Sequence, residues 1–203
     1  MKKLVFIISL MLSLVFEVHG KENRSDRITF GAEWGYVGVF YSGYHYNFFA
    51  PEGYRVDPRS HEFCYDTNAE VYMHIGYDLS ERLNMAVYMG VSAVADYHLT
   101  VPVSLRLTRF YGSAPFKDSW FAFLDLGSGF SIKKEPQEIL TGKIGGGYRM
   151  ALSRKTMLDF LVSLRSVYTR PDIYYYGVRI PNENINRNNA YISALSFGMA
   201  ITF

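Results

Sequence analysis

The sequence predicts an all-β chain, an eight-stranded antiparallel up-and-down transmembrane β-barrel. Three observations predict it. Eight segments alternate at period two between a large apolar face and a small or polar one. The charges within those segments fall on one face only. The connections between them are long at one end of the array and tight at the other.

Composition sets the frame. The chain has 203 residues, a length for one domain, and a formal net charge of +2. Its 17 Tyr, 15 Phe and 17 Gly, against 2 Trp, lean toward strands rather than helices. The near balance of charge argues against a nucleic-acid partner, which needs a basic face. Lys2 and Lys3 precede an apolar run from Leu4 to Phe16, and Val18 and Gly20 sit where small residues precede a cleavage point. Residues 1–20 therefore read as a cleaved signal peptide for Sec-dependent export, and residues 21–203 as the barrel. The run is too short to span a bilayer as a helix, although an uncleaved anchor is the alternative. No Cys follows the proposed cut directly, which disfavours a lipid anchor. The single cysteine, Cys64, leaves no internal disulfide framework, and intermolecular pairing stays open.

The strands follow in order. Ile28 to Gly38 places Ile28, Phe30, Ala32, Trp34 and Tyr36 on one face, with Glu33 opposite. Ala69 to Leu79 sets Val71, Met73, Ile75 and Tyr77 against Glu70, Tyr72 and His74. Met85, Val87, Met89 and Val91 form the next face, and Val101, Val103, Leu105 and Leu107 the one after, opposite Arg106. Trp120 to Phe130 opposes Leu124 and Leu126 to Asp125. Thr141 to Leu152 opposes Ile144, Tyr148 and Met150 to Lys143 and Arg149. Leu158, Phe160, Val162 and Leu164 face away from Asp159 and Arg165. The last strand carries Tyr191, Leu195, Phe197, Met199, Ile201 and Phe203 outward. Each segment is near the ~9–11 residues that cross a membrane as a tilted strand.

The two longest connections, Val39 to Thr67 and Thr169 to Asn189, are odd-numbered. The tightest, Ser80 to Leu83 and Ser153 to Lys155, are even-numbered. Barrels of bacterial outer membranes keep short turns in the periplasm and long loops outside, which puts the odd connections at the cell surface. The short connection Asp96 to Leu99 fits this least well.

Charge placement separates a membrane barrel from a soluble one. Glu33, Glu70, Asp125 and Asp159, with Arg106, Lys143, Arg149 and Arg165, all share the face opposite the large apolar residues, as does His74. A charge in the lipid-facing wall costs about 2–4 kcal/mol at the midplane, so these face the lumen. An eight-stranded barrel is wide enough only for its own side chains. Four acids and four bases in that space imply a structural ion-paired network and no open pore. Trp34, Tyr36, Tyr77, Tyr148, Tyr168 and Tyr191 are candidates for interfacial girdles. The run Gly145–Gly146–Gly147 suggests a close approach that makes room for Arg149, Tyr72 or Tyr88, and no phosphate-loop sequence follows it.

With these residues in place the chain resembles small outer-membrane barrels of the OmpA/OmpX type, and more closely the eight-stranded barrels common in Bacteroidetes. The terminal Ser196–Phe197–Gly198–Met199–Ala200–Ile201–Thr202–Phe203, the segment Tyr97–His98–Leu99–Thr100–Val101–Pro102–Val103 and the strand Gly145–Gly146–Gly147–Tyr148 carry the likeness. It implies an outer membrane of a Gram-negative bacterium, contact with outer-membrane lipid and lipopolysaccharide, and a terminal aromatic read by the barrel-assembly machinery. Architecture is implied far better than activity.

No cofactor, metal or catalytic set is expected. His61, Glu62 and Cys64 are close in sequence but lack metal-site spacing. His74 with Glu70, four apart on one strand face, is the one pair that would suit a lipid A-modifying barrel enzyme, the alternative to a structural or surface-interaction role. The long connections hold the other candidates. Tyr44, Tyr46, Phe48, Phe49 and Tyr54 in the first, and Tyr174, Tyr175 and Tyr176 in the last, would either meet an extracellular protein or glycan or pack on one another over extended hairpins.

Overall fold

The computed structural model describes residues 27–94, 98–112, 117–131, 138–153 and 155–203. The proposed signal peptide and Tyr97 lie outside them. The strands are β1 (Ile28–Phe49), β2 (Arg55–Val56), β3 (Arg59–Ser80), β4 (Leu83–Val94), β5 (His98–Phe110), β6 (Ser119–Ser131), β7 (Glu138–Ala151), β8 (Met157–Thr169), β9 (Tyr174–Tyr175), β10 (Val178–Arg179) and β11 (Ile185–Thr202).

Eight of them make the wall. Each long strand pairs antiparallel with its neighbour in the order β11-β8-β7-β6-β5-β4-β3-β1, and β1 pairs with β11 to close the ring. Closure removes the open sheet edges of the wall, as a β-structure in hydrocarbon requires. The seam runs from Gly31↔Thr202 upward. Its lower end is latched by Phe203, whose N–H donates to the Phe30 carbonyl at 2.8 Å and whose carbonyl accepts from the Phe30 N–H at 3.1 Å. The two rings stack at 5.5 Å.

The predicted faces hold in every wall strand. Phe30, Val71, Met73, Ile75, Met89, Leu126, Ile144, Leu164 and Phe197 point away from the lumen and are open. Such a continuous apolar surface is far beyond what a chain in water exposes. Trp120 and Tyr148 pack edge to face at 5.1 Å near the lower rim, while Tyr191, opposite Gly43, stands at the upper one. Trp34 is a correction to the girdle: it pairs with Val71 and Met199, within the apolar wall and not at its edge.

The first long connection takes the extended-hairpin form weighed for it, and β1 and β3 run past the bounds Gly38 and Ala69 read from the alternation. β1 and β3 are 22 residues each and β11 is 18, against 12–14 for β4 to β8. These three strands continue beyond the wall as a sheet, with only residues 50–58 turning between β1 and β3. The alternation breaks just past Gly38 because the register shifts between Val39 and Tyr41 on both sides of β1. Past that irregularity the in–out sense of β1 reverses, so Tyr41 faces outward like Ser193 and Phe63.

Because Ile144 sits mid-wall opposite Leu124 and Leu164, Ile144→Arg should lower folding stability in lipid vesicles by about 2–4 kcal/mol in a urea titration. Leu152→Arg at the lower rim should cost about 0–1 kcal/mol.

Candidate functional site

The lumen is filled in three tiers. Each inward side chain is set there by the period of its strand. At the middle, Arg106 from β5 reaches across the barrel. Its Nη1 donates to Glu33 Oε2 at 2.5 Å and its Nη2 to Glu33 Oε1 at 3.1 Å, while Nε donates to Asp125 Oδ2 at 3.0 Å. Its guanidinium lies over Tyr88 at 3.9 Å and Phe123 at 4.4 Å. Lys143 Nζ is 2.8 Å from Glu70 Oε1 and 3.9 Å from Glu33 Oε1. Arg165 Nη1 donates to the other Glu70 oxygen at 2.9 Å and to Ser92 Oγ at 2.6 Å. The Tyr72 hydroxyl donates to the same oxygen at 3.1 Å. Glu33, Glu70, Arg106, Asp125, Lys143 and Arg165 thus form one connected cluster, and Arg106 is only 2 % exposed.

Arg149 and Asp159 form a separate fork on adjacent strands, Nε to Oδ1 and Nη2 to Oδ2 both at 2.7 Å. Below the cluster, Phe110, Phe121, Phe123, Leu161 and Ala200 make an aromatic floor. Above it, Val37, Val39, Ile139, Val167, Ile192 and Ala194 make an apolar lid, against which Cys64 packs. Cys64 is half-buried and faces the interior side of the sheet.

Two expectations change here. His74 and Glu70 share a face of β3, but the Glu70 carboxylate is held by Lys143, Arg165 and Tyr72. His74 instead stacks on Tyr88 at 4.7 Å and puts Nε2 3.4 Å from Thr202 Oγ1. It lines a cavity of about 20 Å³ with Asn84, Thr108 and Arg149, room for about one water. The glycine run serves other side chains than predicted. A Cβ at Gly147 would stand 2.7 Å from Phe121 Cζ, so this glycine admits the aromatic floor and not Arg149. Tyr72 is accommodated by Gly90, where a Cβ would lie 2.8 Å from Tyr72 Cδ1.

The second candidate site is the crown of extended strands. Phe48 is a correction to the set of exposed aromatics: it is 2 % exposed and forms a small core with Ile173 and Ile180. Tyr46 and Tyr175 pack against that core. Tyr44 stacks on Tyr46 at 4.7 Å. Tyr54 donates or accepts a hydroxyl bond with Tyr175 at 2.8 Å. These rings hold the last connection against the first, as the packing alternative required. Phe49, Tyr54, Tyr174 and Tyr176 keep exposed surface. Tyr176 is 85 % exposed at the tip of the β9–β10 hairpin, where it has φ 48° and Gly177 φ 79°. A bulky residue in the left-handed region is uncommon, and a two-residue hairpin demands it.

On the outward side of the crown, His45 Nε2 and Asp57 Oδ1 are 2.8 Å apart, and Arg187 Nη1 meets His45 Nδ1 at 3.1 Å. An arginine only donates, so Nδ1 accepts and Nε2–H donates to Asp57. This bond, followed by those from Asn47 and Arg59, holds the Asp57 carboxyl down at about 2. His61 bonds the Tyr41 hydroxyl at 2.8 Å while Cys64 faces inward, so His61 and Cys64 diverge.

No protein-family model matches the chain, and no curated protein matches it significantly. Among solved structures it is similar to the outer membrane protein OprG from Pseudomonas aeruginosa, with 10 % identity, 86 % of this chain and 95 % of that one covered, and a TM-score of 0.48. It is similar to the N-terminal β-barrel domain of Pseudomonas aeruginosa OprF, with 14 % identity, 83 % and 99 % covered, and a TM-score of 0.43. The outer membrane protease OmpT from Escherichia coli is a third, with 11 % identity, 91 % and 99 % covered, and a TM-score of 0.41. The chain is an eight-stranded up-and-down barrel, and the closed ring of its own strand pairings establishes it.

Arg106→Met should cost about 3–5 kcal/mol in vesicle unfolding, because Glu33 and Asp125 lose their shared partner inside the barrel. In the crown, the depressed Asp57 value contributes stability that is present above the ordinary carboxyl value of 3.8 and is lost as pH falls toward about 2. Carboxyl NMR should place its midpoint near 2, and His45→Gln should move it up toward 3.8.

Proposed function

We propose that this chain is an integral outer-membrane protein of a Gram-negative envelope, exported through the Sec pathway, that acts at the cell surface without catalysing a reaction. The crown carries this reading. β3 pairs with β4 only from Glu70 to Ser80, so among the described residues the edge of β3 from Arg59 to Ala69 has no strand beside it. An unpaired strand edge with aromatic side chains is a template for another chain. Elsewhere on the crown, the exposed Tyr174, Tyr176 and Tyr54 supply amphipathic rings suited to a protein or glycan ligand. The barrel serves as a rigid anchor for that surface, with outer-membrane lipid around it and the assembly machinery reading its terminal Phe203.

The lumen supports the same reading. A cluster of cross-barrel ion pairs lies between an aromatic floor and an apolar lid. Ions would have to displace those pairs to pass.

Planar-bilayer recordings of the folded chain should show no large, stable conductance. Lipid A mass spectrometry on a deletion strain should show an unchanged profile. A steady open channel would contradict the closed lumen, and an altered lipid A would favour the enzymatic alternative.

A further inference from the structure

Two tyrosines from distant parts of the chain meet at the tip of the crown. Tyr54 closes the turn after β1, where the Ala50 N–H donates to the Tyr54 carbonyl at 2.9 Å. Two residues on, Val56 pairs with Phe48 and packs on the small core of Phe48, Ile173 and Ile180. Tyr175 sits in the β9–β10 hairpin, whose base is tied by the Ile180 N–H donating to the Ile173 carbonyl at 2.9 Å. Both backbones are therefore fixed where the rings meet. The two hydroxyls are 2.8 Å apart, and the ring centroids are 6.5 Å apart at 79° between planes. Rings joined end to end through their hydroxyls would hold their centres further apart, so these two lean toward one another. A small side-chain rotation brings a carbon ortho to each hydroxyl into contact with its counterpart.

The pair is open to an oxidant. Tyr54 is 48 % exposed, and Tyr175 packs edge to face at 4.5 Å against Tyr176, which stands almost fully in solvent. It is also where a covalent bond adds most. The chain has one cysteine, so no disulfide joins its first and last connections. Residues 54 and 175 are 121 positions apart, and a cross-link over a long loop constrains the unfolded chain most. Other tyrosine contacts lack this combination. The Tyr36 and Tyr65 hydroxyls approach only to 3.4 Å, on two strands already joined by their backbone ladder. Tyr44 and Tyr46 stack two residues apart on one strand.

We propose that Tyr54 and Tyr175 are a site of oxidative tyrosine–tyrosine cross-linking, driven by a peroxidase-type one-electron oxidant with hydrogen peroxide as its co-substrate. The hydroxyl bond to Tyr54 holds the Tyr175 phenol above its ordinary value, so it meets the oxidant protonated and gives up a proton with its electron. The oxidant takes one electron and the phenolic proton from each ring. The two phenoxyl radicals couple through one new bond between ortho carbons. Each coupled carbon passes its hydrogen to its own ring oxygen, which restores the phenol. The pair has lost two hydrogens in all, and one hydrogen peroxide takes them up as it becomes two waters. The product ties the turn after β1 to the β9–β10 hairpin. It needs only the folded crown and stands apart from the surface-binding role proposed above.

The test treats the full chain, refolded in phosphatidylcholine vesicles, with a haem peroxidase and hydrogen peroxide, and maps cross-linked peptides by mass spectrometry after digestion. The main cross-link should join residues 54 and 175 within one chain, with the mass of two hydrogens missing. A main cross-link between Tyr36 and Tyr65, or between two chains through Tyr176, overturns the site. So does an absence of any cross-link while the tyrosines are oxidised singly. Tyr54→Phe keeps the ring packing and removes one hydroxyl, so it should lose most of the dityrosine fluorescence, as should Tyr175→Phe. Tyr44→Phe should leave it unchanged. Fluorescence that persists in both of the first two variants overturns the site. Heat-modifiable gel migration shows that each variant is folded, and the peptide map of the unaltered chain decides without them. The same treatment in urea should lose the 54–175 peptide, and an equal yield from the unfolded chain would contradict a pair set by the fold.

Discussion

Burying eight charges in a space that holds little water is the constraint on which the rest of the molecule depends. A lone carboxylate or guanidinium there would carry a desolvation penalty of several kcal/mol. Each is therefore tied to an opposite charge from another strand. Arg106 on β5 reaches Glu33 on β1, and Lys143 on β7 and Arg165 on β8 converge on Glu70 on β3. These contacts run across the barrel, while the backbone pairs only with immediate neighbours. The strands are thus held in a ring by hydrogen bonds and held at fixed cross-barrel distances by charge. The fit extends to the neutral residues. Tyr88 and Phe123 cover the guanidinium of Arg106, and Tyr72 covers Lys143 at 4.4 Å.

The same polarity governs the outside. A wall that keeps its charges inward can present Val71, Met73, Ile75 and Ile144 to lipid. Where β1, β3 and β11 leave the wall, this rule lapses. Polar side chains return to the outward face at His45, Arg59 and Arg187, and apolar ones turn in at Phe48, Ile173 and Ile180. The crown has a water-soluble sheet's logic with its own small core. It grows from one side of the barrel only, which leaves the upper edge of β3 open.

The sequence made the wall legible because a strict two-residue period is visible without knowing any contact. Glu33, Glu70, Arg106, Asp125, Lys143, Arg149, Asp159 and Arg165 could all be assigned to the interior on parity alone. Pairing could not. Parity says that Glu70 and His74 share a face, but not that Glu70 is taken by Lys143 and Arg165 from strands some 70 to 95 residues away. The length of β1 within the crown was hidden for a different reason. One irregularity beside Phe40 reverses the period, so a reading that follows alternation stops at Gly38 and assigns a loop. Phe48 then looks like an exposed ring, although only the fold of the last connection buries it.

The central claim is that charges on facing strands hold this barrel together through direct cross-lumen contact. A double-mutant cycle on Glu70→Gln and Arg165→Met, read by reversible urea unfolding in vesicles, measures that contact apart from the cost of each substitution. The residues meet at 2.9 Å inside the barrel, so the coupling should exceed about 1 kcal/mol. A coupling of zero, with the two losses simply adding, would contradict the account.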